Sequence, residues 1–326
     1  MRTLKLTVAY DGTNYHGFQK QTNALTVQQV LEEKLSLLCG EKIVTAGSGR
    51  TDTGVHARGQ VVSLTTSGSI PLENLLKACA GILPKDIVLW QAEEADEGFH
   101  ARYSACWKRY CYRIVQNKHA DPFLRNYVWQ MREYLRLEAM QEAAQLLLGT
   151  HDFSFFRSAG SVQSSPVKTI YRAEWLPKEQ GELEFCIEGN GFLYHMVRNI
   201  VWHLVEVGKG TKSIAAFKSE FAAGKRHFKV APAPPQGLYL DYVGYIPHFL
   251  ADIEKISEID GFGGVMGQSV VEFFAKDGTT DLIHRLADAG VNMTWKGEPK
   301  GDKLAGMTLV VTGTLETLSR NEAEAL

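Results

Sequence analysis

The sequence predicts an α+β fold whose sheet is largely antiparallel. Three observations carry that reading. Stretches alternating apolar and polar residues with a period of two mix with stretches of helical period. Several strand-like stretches follow one another in hairpin fashion. Nowhere does a strict strand-helix-strand alternation persist, as a parallel sheet would require. The chain has 326 residues, 44% of them hydrophobic, and a mean hydropathy of -0.17, values of a globular chain able to bury one large core or two domains.

The elements follow in order. Thr3–Ala9 puts Leu4, Leu6 and Val8 on one face and Lys5 and Thr7 on the other, a half-buried strand. Tyr10–Gln21 is a polar, aromatic-rich turn region. Thr26 and Gln29 offer a capping box for a helix that ends at Cys39-Gly40. Lys42–Ala46 and Gln60–Leu64 read as strands, Pro71–Gly81 as a helix and Ile87–Gln91 as a strand. Trp107–Gln116 alternates again, with Tyr110, Tyr112 and Ile114 on one face and Arg109, Cys111 and Arg113 on the other. Leu137–Leu148 is an amphipathic helix stopped by Gly149, and His151–Ser165 is an aromatic-rich loop. Strands Thr169–Trp175 and Leu183–Glu188 precede a helix from Leu193 to Val207, closed by Gly208. A helix over Ile214–Ala223, a Pro-rich turn over Ala231–Gly237 and a strand over Leu238–Val243 complete the pattern.

Composition narrows the function classes. With no run of eighteen apolar residues and an N-terminus that enters a strand at once, the expectation is a cytoplasmic chain without membrane span or leader. The five cysteines are scattered, odd in number and lack a CxxC pair, so they read as buried thiols in a reducing compartment. The ten histidines show no HExxH spacing, and no metal is implied. Charge is uneven. Residues 1–246 hold 28 Lys and Arg against 24 Asp and Glu, whereas 247–326 hold 7 against 13, together the chain's 35 and 37. A mildly basic first part and an acidic tail point to a boundary near residue 246.

The chain is organised around Ala46–Ala57, AGSGRTDTGVHA, where three glycines bracket Arg50-Thr51-Asp52. Glycine at that density suits a loop that another molecule approaches closely, with a single carboxylate exposed at a strand end. Taken alone, such a loop is most often an ordinary turn. Its company decides otherwise. The string GRTDTGVH, with YDGTNYHGFQKQ, FHARYSA, KRYCYRI and GFLYHMVRNIV, resembles the tRNA pseudouridine synthase A family, and the five motifs run in the family's order from about residue 4 to 245.

That resemblance implies a pseudouridine synthase fold: two similar α/β halves, about 1–104 and 105–246, sharing one mostly antiparallel sheet around a central cleft for the tRNA anticodon arm. It implies an isomerase acting at uridines 38, 39 and 40, a homodimer, and no cofactor, since isomerisation consumes neither redox equivalents nor energy. Asp52 matches the family's catalytic aspartate, Arg198 the arginine that pairs with it, and Tyr110 the tyrosine lying against the target base. Arg50 matches the loop arginine and is assigned to substrate binding, as is Tyr110. One carboxylate suffices for this chemistry, as nucleophile or as partner of positive charge at C1′. Burial works against its ionised form and an adjacent guanidinium favours it. Flanked by Met196-Val197 and Ile200-Val201, an unpaired arginine at 198 would be poorly placed.

Further RNA contacts are expected from Gln19 and Lys20 in GFQKQ, and from His56 and Arg58 beside the loop. Arg102, Lys108, Arg109 and Arg113 interleave with Tyr103, Trp107 and Tyr110, a pattern suited to phosphate contact plus base stacking. The pair Trp202-His203 departs from the small residues common after RNIV in the family.

Beyond Tyr245 the resemblance stops. Ile256–Phe274 resembles a helix-hairpin-helix motif, whose glycines would let backbone N–H groups approach a phosphate, and Leu304–Leu326 resembles the start of a BRCT domain. Together they resemble the C-terminal region of NAD-dependent DNA ligase. The organisation read from the sequence is thus a catalytic domain over 1–246, a hairpin-like segment over 247–292, and a linker with a truncated BRCT start over 293–326. A whole-chain ligase is excluded: the KxDG motif of ligases has no counterpart, because Ala9 stands two places before Asp11 in Ala9-Tyr10-Asp11-Gly12. Two other readings are weighed. A non-catalytic RNA-binding paralogue conflicts with the intact Asp52, Tyr110 and Arg198. A DNA-contacting tail conflicts with its acidic charge.

Overall fold

The computed structural model describes residues 1–160, 165–224 and 231–248, all within one compact unit, Met1–Ala251. The ligase-like segments, beyond His248, lie outside the described residues.

Strand β1 (Arg2–Tyr10) buries Leu4, Leu6 and Val8 completely, as its alternation dictates. Helix α1 (Val27–Cys39) starts where Thr26 Oγ1 accepts the Gln29 N–H at 3.3 Å. Only half of the predicted capping box forms, because the Gln29 amide donates to Glu33 at 2.9 Å instead of reaching back. Strand β2 (Thr45–Gly47) is shorter and later than the predicted one, and β3 (His56–Thr66) longer. Helix α2 (Leu72–Ile82) packs on β4 (Ile87–Ala95). The second half holds β5 (Trp107–Gln116), β6 (Trp129–Met131), α3 (Leu137–Gln145), β7 (Gly149–Asp152), β8 (Val167–Pro177) and β9 (Glu182–Gly189). Helices α4 (Met196–Lys209) and α5 (Ile214–Ala223) and strand β10 (Leu238–Gly244) close it.

Other details also differ from the sequence expectation. Strand β6 and strand β7 occupy stretches with no predicted strand. Helix α4 begins three residues late, because His195 takes a left-handed conformation (φ 59°) ahead of it. It also runs through Gly208 and closes at Gly210. Gly208 is there for packing: a Cβ would stand 2.5 Å from the Met140 sulfur.

The strands form one sheet in the order β4-β1-β3-β10-β5-β9-β8-β7, with β2 on β3 and β6 on β5. Only β10 against β3 and β6 against β5 run parallel; every other pairing among the described strands is antiparallel. Within the sheet the halves therefore join at two residue pairs, Tyr239 with His56 and Leu240 with Ala57. Strand β5 splits its faces as its alternation predicts: Tyr112 and Ile114 are fully buried in the apolar core, while Arg109 and Arg113 pair with Glu188 and Glu182 at 2.7 and 2.6 Å. Aromatic packing fills the second half's core, where Phe153, Phe155, Phe156, Phe185 and Phe217 are fully buried. The departing pair is absorbed here: Trp202 stacks on Trp129 at 6.0 Å, and His203 sits among Phe155, Phe156 and Phe217.

Candidate active site

The loop carrying Asp52 joins β2 to β3, just ahead of the two-pair joint between the halves. Its backbone is pinned from three sides. Gln60, fully buried on β3, donates to Gly49 O at 2.8 Å and accepts from Ser48 Oγ at 2.7 Å. The N-terminal motif YDGTNYHGF supplies the second side. Phe18 N donates to Thr51 O at 3.2 Å, Gly54 N to Tyr15 O at 3.3 Å, and Tyr10 shares a 2.7 Å hydrogen bond with Thr51 Oγ1. Gly17, at φ 85°, lets this motif lie against the loop, since a Cβ there would meet Thr51 O at 2.5 Å. From the third side Lys108 Nζ donates to Ser48 O at 2.6 Å.

Held this way, Asp52 Oδ2 meets two groups of the second half: Arg198 Nη1 at 3.0 Å and His195 Nε2 at 3.3 Å. Both belong to the GFLYHMVRNIV segment. Arg198 is locked from behind, its Nε donating to Ala233 O at 2.7 Å, and it is no surface arginine, being 9% exposed. His195 is fixed by Ser158 Oγ at 3.0 Å from Nδ1 and by the Tyr194 ring stacked at 3.8 Å. Asn199, one residue past Arg198, anchors the helix start by donating to Phe156 O at 2.7 Å.

Asp52, His195 and Arg198 line a cleft of about 560 Å³, within the usual range for a ligand pocket. Tyr110 enters it from β5, its ring edge-on to Phe192 at 5.1 Å and its hydroxyl beside Gly49. Burial pushes the Tyr110 phenol well above its ordinary range, with Tyr10 and Asp52 adding to the shift, so it keeps its proton. Arg50, exposed, and Gln19 also line the cleft, as do Arg102 and Lys108. Burial, then the nearby Arg102 and Lys168 cations, bring Lys108 down to about 8. Among the described residues no carboxylate pairs with Arg50, Arg102 or Lys108, so the wall presents uncompensated positive charge.

Three predicted contacts lie outside the cleft lining. His56 is 2% exposed, its Nδ1 accepting from Gly12 N at 3.0 Å, its Nε2 2.9 Å from Asn126 O and its ring stacked on Tyr239, which makes it a brace of the joint between halves. Burial lowers its pKa. Arg58 covers the Tyr239 ring and pairs with Asp241 at 3.4 Å. Lys20 pairs with the buried Glu32 at 2.9 Å. Of the basic run on β5, Arg109 and Arg113 are consumed by Glu188 and Glu182, leaving Lys108 for the cleft. His195 escaped the sequence reading, although its position three before Arg198 is one helical turn away. Its contact with Asp52 depends on the left-handed backbone at 195, which the sequence does not announce.

A carboxylate clasped by two basic side chains, beside a protonated phenol and under a cationic wall, defines an enzyme-type cleft suited to an anionic substrate. Comparison with known proteins gives the family of the chain. The model of the family described as tRNA pseudouridine synthase matches residues 6–104 and 143–245. The tRNA pseudouridine synthase A of Thermoanaerobacter sp. (strain X514) is 44% identical over 245 residues, 75% of this chain and 100% of the relative. That of Acetivibrio thermocellus is 45% identical over the same span and coverage, and the tRNA pseudouridine synthase A 1 of Protochlamydia amoebophila is 44% identical over 250 residues, covering 97% of the relative. The chain belongs to the tRNA pseudouridine synthase family. A solved Cbf5–Nop10–Gar1 complex overlaps 62% of this chain and 45% of its own, at 12% identity and a TM-score of 0.29, too slight a likeness to carry weight.

Proposed function

We infer that the chain works as a tRNA pseudouridine synthase, with Asp52 as its catalytic carboxylate and uridines 38, 39 and 40 of the anticodon arm as its targets. Family membership and relatives 41–45% identical support the activity. The observation that carries the residue assignment is the placement of Asp52 Oδ2 within 3.3 Å of both Arg198 and His195 at the head of the cleft.

The reaction breaks the N1–C1′ bond, forms C5–C1′, takes a proton from C5 and returns one to N1. Asp52 acts at the sugar–base junction as nucleophile or as partner of the developing positive charge. Arg198 holds that carboxylate oriented without entering the bond changes. Tyr110, protonated, lies against the base as a platform and a hydrogen-bond donor. Arg50 and Gln19, with Lys108 and Arg102, meet the RNA backbone. Extruding a paired uridine costs on the order of a few kcal/mol, which these contacts offset. His56, Arg58 and Lys20 are engaged elsewhere and contribute through the scaffold.

The chain is further proposed to act in the cytoplasm as a homodimer. Among the described residues no helix is long and apolar enough to cross a membrane. Catalysis is assigned to residues 1–246, and 247–292 and 293–326 to ligase-like appendages outside it. Mapping pseudouridine by carbodiimide adducts in tRNA treated with the full chain tests the target assignment. Adducts at 38, 39 or 40 are expected, and adducts only elsewhere in the tRNA would overturn it.

A further inference from the structure

Two thiols belong neither to the apolar core nor to the cleft. Cys111 on β5 and Cys186 on β9 face each other in register, 75 residues apart in sequence, with their sulfurs 3.0 Å apart. They are 3% and 5% exposed, yet the apolar cluster that takes in Cys79 does not include them. Tyr239 on β10 lies opposite Cys111, and charged side chains surround the rest of the pair. Arg109 and Arg113 flank Cys111 on its face of β5, and Glu184 and Glu188 flank Cys186 on β9. Glu184 places Oε1 3.9 Å from the Cys186 sulfur, and ligand atoms of all three residues fall within 4.8 Å of one another.

We propose that Cys111, Cys186 and Glu184 form a binding site for one thiophilic divalent cation of the zinc or cadmium type. Two thiolates and a carboxylate are a ligand set such ions accept, with a fourth position left to water. Zinc–sulfur bonds of about 2.3 Å at a tetrahedral angle hold two sulfurs roughly 3.7 Å apart, so zinc opens the 3.0 Å pair by about 0.7 Å and a larger ion by somewhat more. Two S–H protons leave as two metal–sulfur bonds and one metal–oxygen bond form. Exchanging two protons for one dication leaves the charge of the patch unchanged. The Arg58 and Lys178 cations, 3.8 and 3.3 Å from the Glu184 carboxylate, therefore need no new counter-ions. The strands are adjacent in the sheet, so the ligands are positioned before the ion arrives.

Cadmium titration of the reduced full chain tests this, read by thiolate-to-cadmium charge-transfer absorption and by native mass. One ion per chain is expected, with two protons released on binding. Cys111→Ser and Cys186→Ser should each abolish the band, Cys39→Ser should keep it, and Glu184→Gln should weaken binding about tenfold or more. Circular dichroism of each variant separates lost ligation from lost fold, and Glu184→Gln keeps the test open if a serine variant misfolds. No band in the reduced chain, a band surviving in both serine variants, or affinity unchanged in Glu184→Gln would overturn the site. So would a chain that under mild oxidation only loses the mass of two hydrogens and never takes up metal, which identifies a disulfide pair instead.

Discussion

Arg198 is worth more to Asp52 than its charge, because its guanidinium is fixed at both ends, by the carboxylate and by Ala233 O. Arg198→Ala leaves Asp52 with His195 beside it but without the anchored guanidinium, a loss of about 3 kcal/mol, or roughly a hundredfold in kcat with little change in KM for tRNA. Arg198→Lys keeps a cation but not the second anchor, and should recover only part of the rate in the same steady-state assay. Lys108 makes a different prediction. Its pKa sits near 8, so it is a cation below that pH and loses its charge as pH rises through it. Affinity for tRNA should therefore fall above about pH 8 and depend less on salt, by about one unit of the log–log slope. Lys108→Arg should abolish that fall in a filter-binding titration. At this scale the motifs named Asp52, Arg198 and Tyr110, and the structure brings the three to one cleft. The sequence misjudged His56, because a histidine beside a loop of this kind looks the same whether it faces RNA or braces two strands. Only burial distinguishes them.

Strands and helices set where these side chains can be. The N-terminal motif forms a floor under the loop that carries Asp52, and Gly17 lets the floor approach the loop at Thr51. Gly17→Ala meets both a positive φ and the Thr51 carbonyl, and should cost about 1–3 kcal/mol in denaturant unfolding. By moving Asp52 it should also lower kcat, while Gly81→Ala, in open space on α2, should be neutral or stabilising. Strand β9 offers a pH test. Burial works against the charge on Glu188, but hydrogen bonds from His248 and Arg109 outweigh it and bring the carboxyl to about 2, against 4.5 in an unstructured chain. A depressed carboxyl contributes stability in full above pH 4.5 and loses it as pH falls toward 2. The shift corresponds to about 3 kcal/mol. Glu188→Gln should be less stable by about that much at pH 7, and the gap should close between about pH 4.5 and pH 2 in urea titrations. The long alternating runs of β1 and β5 were legible in the sequence. Strands β6 and β7, three and four residues long, show too little alternation to declare themselves, and a neighbouring strand defines them.

On the scale of the molecule, the proposed function depends on bringing residues 52, 110 and 198 together near a joint of two parallel residue pairs. That joint could not be read from the sequence, since β3 and β10 are separated by most of the chain and show no shared pattern. The same distance hid the meeting of Cys111 with Cys186. The antiparallel character of the sheet was readable, because it follows from local hairpin order. Every residue assigned here to catalysis lies before residue 246, and the family match ends at 245. Ending the chain after His248, which keeps the contact with Glu188, should hold turnover within about twofold of the full chain. A large loss would make the tail part of the enzyme. The central claim, that Asp52 performs the isomerisation, meets its most direct test in tritium release from tRNA labelled at uridine C5. The full chain should release tritium, and Asp52→Asn should bind the same tRNA yet release none. Release persisting in Asp52→Asn, or absent from the folded parent chain, would contradict the account.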